Sequence, residues 1–215
     1  MKISLAGNEI ELLPQRAAWW PARRTAVIAD VHLGKDQVFR RSGIAIPAGV
    51  LDTELAMLDS LVQRTGCERL LVLGDWVHAA PLDGESWPEA IADWRNRHAQ
   101  LDIDLVLGNH DRDLSPWLKG WRIDAHEGSK EINGLKMLHE VDVEMPPAGM
   151  SGHLHPVSWL RAGRERLRLP AFARRGDHLV LPAFGRFTGG FDGLAGSAWK
   201  LFPIASDRVF DLPGE

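Results

Sequence analysis

The chain of 215 residues has one cysteine, no tyrosine, and no apolar run approaching the roughly 18 residues that a membrane-spanning helix requires. A single cysteine, Cys67, cannot close an internal disulfide and excludes a thiolate-rich metal site, so any metal must be held by oxygen and imidazole. Positive charge is also short, with 25 Lys and Arg against 29 Asp and Glu for a formal net charge of −4. That balance argues against a protein that coats nucleic acid non-specifically, while leaving room for a local basic patch. Residues 1–10 carry no cationic start followed by an apolar stretch. The expectation is a soluble cytoplasmic protein that is not exported and has no membrane association, folded as one α/β domain over residues 1–215. The nine tryptophans set against no tyrosine have no physical account.

What the chain does have is three apolar runs that each stop on polar, metal-competent residues. They are Ala26-Val27-Ile28-Ala29-Asp30-Val31-His32, Leu70-Leu71-Val72-Leu73-Gly74-Asp75 and Leu105-Val106-Leu107-Gly108-Asn109-His110-Asp111. Each reads as a strand that delivers chemistry at its C-terminal end. Between them, Leu51, Leu55, Leu58 and Val62 predict a helix over Pro47–Arg64, closed by Gly66. Ser86 and Glu89 form a capping-box signature for a second helix, with Trp87, Ile91 and Trp94 on one face, ending near Gln100. Strand, helix, strand, helix, strand implies a parallel sheet, and such sheets gather function outside the carboxyl ends of their strands.

The flanking regions read differently. In residues 1–24, Glu9–Leu13 suits a short strand and Trp19-Trp20-Pro21 a packed turn; residues 34–43 suit a loop or short helix. After residue 129 an Asn133-Gly134 hairpin signal and short strands near 148–151, 157–161, 166–172 and 178–181 predict a second sheet with more antiparallel pairing. The glycine-rich run 185–196, broken by Phe and Trp nearby, reads as an ordered loop rather than a linker.

In order, the chain offers Asp30-x-His32, Gly74-Asp75-x-x-His78, Gly108-Asn109-His110-Asp111, a lone His139, and Gly152-His153-Leu154-His155. This set of hard oxygen and borderline nitrogen donors suits Mn²⁺, Fe or Zn²⁺ rather than copper or an iron–sulfur cluster. Two ions can be filled from it, with Asp75 as the bridging carboxylate. Asp30, His32 and one histidine of the last motif would complete one ion, and Asn109, His139 and the other histidine the second. In an extended strand end, residues i and i+2 point the same way, so Asp30 with His32 and His153 with His155 should face one cavity. Water between two cations ionises near neutral pH and can attack phosphorus in line, while the ions neutralise the phosphate oxygens. His110 is free to protonate the leaving oxygen, with Asp111 placed to orient it.

The blocks D-x-H, G-D-x-x, G-N-H-D/E, H and G-H-x-H, complete and in order from Asp30 to His155, resemble those of the metallophosphoesterase (calcineurin-like) superfamily. The resemblance implies an α/β fold, a four-layer αββα sandwich of two mixed sheets flanked by helices. It also implies Asp30, His32, Asp75 and His155 on one metal, Asp75, Asn109, His139 and His153 on the other, and His110 as proton donor.

A narrower resemblance runs over nearly the whole chain. The stretches Ala29–Lys35, Gly152–Pro156, Leu167–Phe172 and Leu181–Gly190 are similar to those of the ligase-associated DNA damage response endonucleases (PdeM type). It implies a Mn²⁺-dependent DNA endonuclease acting in repair alongside an ATP-dependent DNA ligase, a helicase and an exonuclease. Members often place His and Pro after the lone histidine, where this chain has Glu140 and Val141.

Blander readings stand beside these. His78 suits either a substrate contact or a helix-start histidine bonded to the backbone, and Trp76 either a base-stacking platform or, preferably, core. His98, His126 and His178 fall outside every block and read as ordinary. Lys35, Arg40, Arg41 and Arg112 adjoin ligand candidates and suit phosphate contacts, with Lys35, His78, Arg112 and Arg168 carried forward as substrate-binding candidates. Arg161, Arg164, Arg166, Arg168, Arg174 and Arg175 suit a phosphate groove or a solvated strand face equally. The loop Phe184–Gly190 suits either a rim of the site or a subunit contact in a homo-oligomer. Two other functions compete: a small-molecule phosphoesterase acting on nucleotides or lipid-linked diphosphates, and a non-catalytic scaffold, which should have lost ligands.

Overall fold

A computed structural model of the chain describes residues 1–163, 165–195 and 198–212. Arg164, Gly196 and the side chain of Arg161, all named above, lie outside the described residues.

The chain opens with strands β1 (Lys2–Leu5), β2 (Asn8–Leu13), β3 (Ala17–Trp20) and β4 (Thr25–Ile28), paired antiparallel in sequence. Trp19 and Trp20 lie in β3 and not in a turn; the turn begins at Pro21. Strand alternation separates the two rings, sending Trp20 between the sheets and Trp19 to the opposite face.

From β4 the chain alternates with helices α1 (Lys35–Arg41), α2 (Val50–Thr65), α3 (Trp87–Arg97) and the single turn α4 (Ser115–Leu118). Strands β5 (Arg69–Leu73), β6 (Asp102–Val106) and β7 (Asp124–His126) follow β4 in parallel. The parallel half of this seven-stranded sheet is therefore the one the periodicity predicts. Helix α2 starts at Val50 rather than Pro47, because Gly49 adopts a left-handed conformation there. Ser86 occupies the N-cap of α3 but makes no side-chain cap; the expected capping box does not form, and Glu89 N–H donates to the Ser86 carbonyl at 3.1 Å.

The second sheet holds β8 (Ser129–Ile132), β9 (Leu135–Leu138), β10 (Gly149–Ser151), β11 (Val157–Ala162), β12 (Glu165–Arg175), β13 (His178–Val180), β14 (Lys200–Ala205) and β15 (Arg208–Val209). Its pairings are antiparallel except that β10 runs parallel to both β9 and β13. The fold is thus an α/β sandwich of two mixed sheets.

Two cores fix the layers. Leu51, Leu55, Leu58 and Leu61 of α2 and Ile91 and Trp94 of α3 pack on the outer face of the first sheet. Leu71, Leu73 and Val106 meet Met137, Met150, Phe172 and Leu179 between the sheets. Each such side chain contributes about 1.5–3 kcal/mol on full burial. The outer face of the second sheet is covered differently: among the described residues no helix follows α4, and Val141, Val143, Leu194 and Trp199 pack there from loops. Clamped face to face, the sheets bring the loops after β4, β5 and β6 against those after β9 and β10.

Candidate metal centre

The loops after β4 and β5 run side by side beyond the ends of their strands. Asp30 N–H donates to the Gly74 carbonyl at 3.0 Å, His32 N–H to Asp75 at 2.9 Å and Leu33 N–H to Trp76 at 3.0 Å. The backbone is not the extended strand end expected. Asp30 (φ 54°), His32 (φ 54°), Asp75 (φ 53°), His153 (φ 68°) and His155 (φ 49°) all occupy the left-handed region. Such conformations cost energy in non-glycine residues and collect where the surrounding structure enforces them, as at functional sites. The shared direction of Asp30 with His32, and of His153 with His155, comes from these turned residues.

The seven candidate ligands converge. His155 Nε2 lies 3.3 Å from Asp30 Oδ1, and His32 Nε2 lies 3.7 Å from Asp75 Oδ2. On the other side, His139 Nε2 lies 3.0 Å from Asn109 Oδ1, 3.1 Å from His153 Nδ1 and 3.6 Å from Asp75 Oδ1. Asp75 stands between the two groups, with one oxygen toward each. Three sets of potential metal donors, Asp30 with His32 and His155, Asp30 with Asp75 and His139, and His32 with His78 and His110, each have their ligand atoms within 4.8 Å of one another.

The surroundings prepare these atoms to ligate. His139 Nδ1 lies 2.9 Å from the Leu73 carbonyl, which fixes its proton there and frees Nε2. Gly74 permits that approach, since a Cβ at this position, at φ +83°, would sit 2.0 Å from His139 Nδ1. His153 N–H donates to Asp30 Oδ2 at 2.9 Å and orients that carboxylate. Burial, then the nearby Lys35, hold the His32 imidazole far below its usual pKa and therefore neutral, the form that binds metal. Both ring nitrogens of His32 and Nε2 of His155 are buried without a hydrogen-bond partner. Orphaned buried nitrogens facing carboxylates fit a divalent cation as the missing partner.

Beside this centre stand three imidazoles. His110 and His78 stack at 4.7 Å, and His32 approaches His110 edge-on at 5.1 Å. His110 Nδ1 lies 2.7 Å from the His78 carbonyl, leaving Nε2 for substrate. Burial and Lys35 push the His78 ring down to about 4. His78 therefore belongs to the site cluster, with Lys35 facing it from the start of α1.

Asp111 needs a correction: its carboxylate does not touch the His110 ring. It accepts backbone N–H bonds from Asp75 at 2.7 Å, Trp76 and Gly108 at 2.9 Å, and Val77 at 3.4 Å. Burial pushes its carboxyl up to about 6, although those donors favour the anion. Asp111 shapes the loop that presents Asp75, and the main chain of His78 orients His110.

The remaining candidates divide. Arg168 lies on β12 beside His155 and bonds the Gly190 carbonyl. Arg112 is exposed and makes no hydrogen bond or ion pair among the described residues. Arg40 and Arg41 are engaged by Asp36 and the Pro47 carbonyl, and by Glu85, respectively. Trp76 is fully buried core. His98, His126 and His178 pair with Asp59, Asp104 and Ser151, away from the centre. Sequence reasoning missed Arg16, which no spacing signal links to the motifs; Arg186 falls in the loop Phe184–Gly190 read above as a rim of the site or a subunit contact, and both line a cavity with His155.

The family described as calcineurin-like phosphoesterase matches residues 23–180. Among solved structures, the Pseudomonas putida nuclease MPE is 35% identical, with 99% of each chain covered and a TM-score of 0.84. The E. coli phosphoesterase Yfce is 16% identical, covering 86% of this chain and 96% of its own, at a TM-score of 0.46 too low to carry an argument. No curated protein matches the chain.

Proposed function

Since the chain belongs to the calcineurin-like phosphoesterase family and is a metal-dependent phosphoester hydrolase, we propose that it is a two-metal phosphodiesterase that cuts DNA. The observation that carries this reading is the convergence of six donors around Asp75, with both ring nitrogens of His32 and Nε2 of His155 left without a hydrogen-bond partner in a buried site. Asp30, His32, Asp75 and His155 would hold one ion, and Asp75, Asn109, His139 and His153 the other. Two divalent ions there would supply the Lewis acidity that ionises water near neutral pH and neutralises phosphate oxygens. Three oxygen and four imidazole donors with no thiolate suit Mn²⁺, Fe or Zn²⁺, and the choice of Mn²⁺ among them rests on the motif resemblance.

The chain's own groups do the rest. His110, its Nδ1 fixed by the His78 carbonyl, presents Nε2 to the leaving oxygen and, protonated there, delivers the proton that oxygen needs. His78 and Lys35 flank the same space and place positive charge and donors against the phosphate. Asp111 keeps Asp75 in position through the backbone.

A nucleic acid as the substrate is supported by the 35% identity to a nuclease over the full chain, and DNA in particular by the motif resemblance. Cytoplasmic action in repair, beside an ATP-dependent ligase, a helicase and an exonuclease, rests on the motif resemblance. No helix of the described residues is long and apolar enough to cross a membrane.

The test incubates metal-loaded protein with supercoiled plasmid, a phosphodiester and a phosphomonoester, beside His110→Ala, with metal content measured by mass spectrometry. Expected are bound transition metal, nicked plasmid and diester turnover. Turnover of the monoester alone overturns the nuclease reading, and absence of bound metal overturns the mechanism.

A further inference from the structure

The metal centre does not end at His155. A cavity of about 140 Å³ opens beside it, lined by Arg16, Arg168, Arg186 and Thr188. It shares Arg16, Pro170 and Arg186 with a larger cavity of about 490 Å³ that reaches Gln15 and Ser206. The two form one groove leading away from the ligand loops.

Three guanidinium groups from three segments line its near end. Arg16 comes from the β2–β3 turn, Arg168 from β12, and Arg186 from the loop after β13. None of them has a carboxylate within ion-pair distance among the described residues. Asp192, the acid nearest Arg168 in charge effect, is bonded to Trp159 Nε1, and Asp207 lines the groove's far end. Burial, with the charge of Arg186 second, lowers the Arg16 guanidinium to about 10, so it stays charged at neutral pH. Like charges held together without an ion pair of their own are costly, and an anion in the groove offsets that cost.

The groove is built, and it is coupled to the metal loops. Arg16 Nη1 donates to the carbonyls of Ala183 and Gly185 at 3.1 Å each. The loop so braced donates from Phe184 N–H to the Ala29 carbonyl at 2.8 Å and from Gly185 N–H to Asp30 at 3.2 Å. A Cβ on Gly185 would lie 2.3 Å from the Val31 carbonyl, so only glycine allows this seat. On β12, Arg168 shares its face with Pro170, opposite Val157, and all three line the cavity.

We propose that the groove formed by Arg16, Arg168 and Arg186 is a phosphate subsite that takes the backbone phosphates of a polynucleotide flanking the linkage being cut. This deepens the phosphodiesterase reading above and rests on it. Backbone contacts of this kind position substrate without reading sequence, and they show as salt-dependent affinity. The subsite separates polynucleotides from small diesters, which carry no flanking phosphate to fill it.

Arg186 is exposed and its side chain makes no hydrogen bond or ion pair among the described residues, so its substitution should leave the fold intact. The experiment compares wild type, Arg186→Glu and Arg186→Lys, as metal-loaded full-length protein, on an eight-nucleotide DNA and on bis(4-nitrophenyl) phosphate. In parallel, fluorescence anisotropy in EDTA reads binding of the same labelled octamer across a salt series, with inorganic phosphate as competitor.

The ratio of kcat/KM for octamer over small diester should fall about tenfold in Arg186→Glu, through the octamer's KM, and recover largely in Arg186→Lys. The slope of log affinity against log salt should shrink by about 0.7–1 for the lost phosphate contact. An unchanged ratio, or an unchanged salt slope, overturns the subsite. Displacement of the octamer by millimolar inorganic phosphate as readily as by unlabelled octamer also overturns it, because the groove then holds a free anion. If wild type cleaves no polynucleotide, the nuclease reading falls, while the anisotropy arm still decides the groove.

Discussion

The Asp111 carboxylate accepts the backbone N–H of Asp75 at 2.7 Å and so holds in place the residue that stands between the two donor sets. Asp111→Ala leaves four N–H donors short of an acceptor in a buried loop. Each buried unpaired donor costs about 1–3 kcal/mol. The expected outcome is a lowered urea midpoint together with weakened metal binding, measured by denaturation and metal titration. A variant that keeps both and changes only the pH–rate profile would reinstate Asp111 as a partner of His110.

Asn109 and His110 are neighbours held by different partners. Asn109 Oδ1 lies 3.0 Å from His139 Nε2, whereas His110 is held by the His78 carbonyl. Asn109→Ala should weaken metal binding. His110→Ala should retain metal and lose about 10²–10⁴ in kcat, least for esters with good leaving groups. Metal analysis beside kinetics on a 4-nitrophenyl and an alkyl diester checks both.

Gly74 is a steric test of the centre. Alanine there meets His139 Nδ1 and must hold φ near +83°; the left-handed backbone alone costs about 1–2 kcal/mol. Gly74→Ala should lower thermal stability and reduce metal stoichiometry, and a fully loaded variant would contradict the geometry.

Glu54 predicts a pH effect outside the centre. It is buried on α2, its Oε2 and the Oδ1 of Asp36 have no hydrogen-bond partner, and burial, then Asp36, raise it from 4.5 to about 8, with Lys35 opposing. The folded chain therefore keeps a proton that the unfolded chain releases above about 4.5. Stability falls as pH rises from there and levels off above about 8. Glu54→Gln should flatten that fall, read as urea midpoints at pH 6 and pH 9 in both proteins.

A metal ion that binds the assembled loops in preference to the unfolded chain should stabilise the fold. At 100 times Kd each site contributes about 2.7 kcal/mol. Mn²⁺ should raise the melting temperature and a chelator lower it, whereas His32→Ala combined with His155→Ala should lose most of the response.

Much of the fold and site was legible in one dimension, and the reasons are physical. The alternation of apolar runs and amphipathic helices from Thr25 to Val106 exposes the parallel sheet, because burial on both faces demands apolar strands. Asp30, His32, Asp75 and Asn109 were legible because each follows the end of such a run, and His139, His153 and His155 through the motif order. The N-terminal meander was less so: β3 is four residues long, and its two tryptophans serve different faces. The capping box failed because Ser86 leaves its side chain uncapped while main-chain bonds serve the helix start.

The amino-acid sequence by itself determined the chemistry: one cysteine excludes thiolate ligands, and Asp, Asn and His at strand ends supply the oxygen and nitrogen donors. Only the tertiary structure decided what those residues do to one another. Asp111 serves the Asp75 loop, because that carboxylate points at main chain, and a local pattern cannot give a side chain's direction. Arg16 and Arg186, 170 positions apart by number, meet in a groove because closing two sheets face to face brings the β2–β3 turn onto the loop after β13. Spacing encodes neighbours along one strand or helix; contacts between layers exist only once the cores have closed.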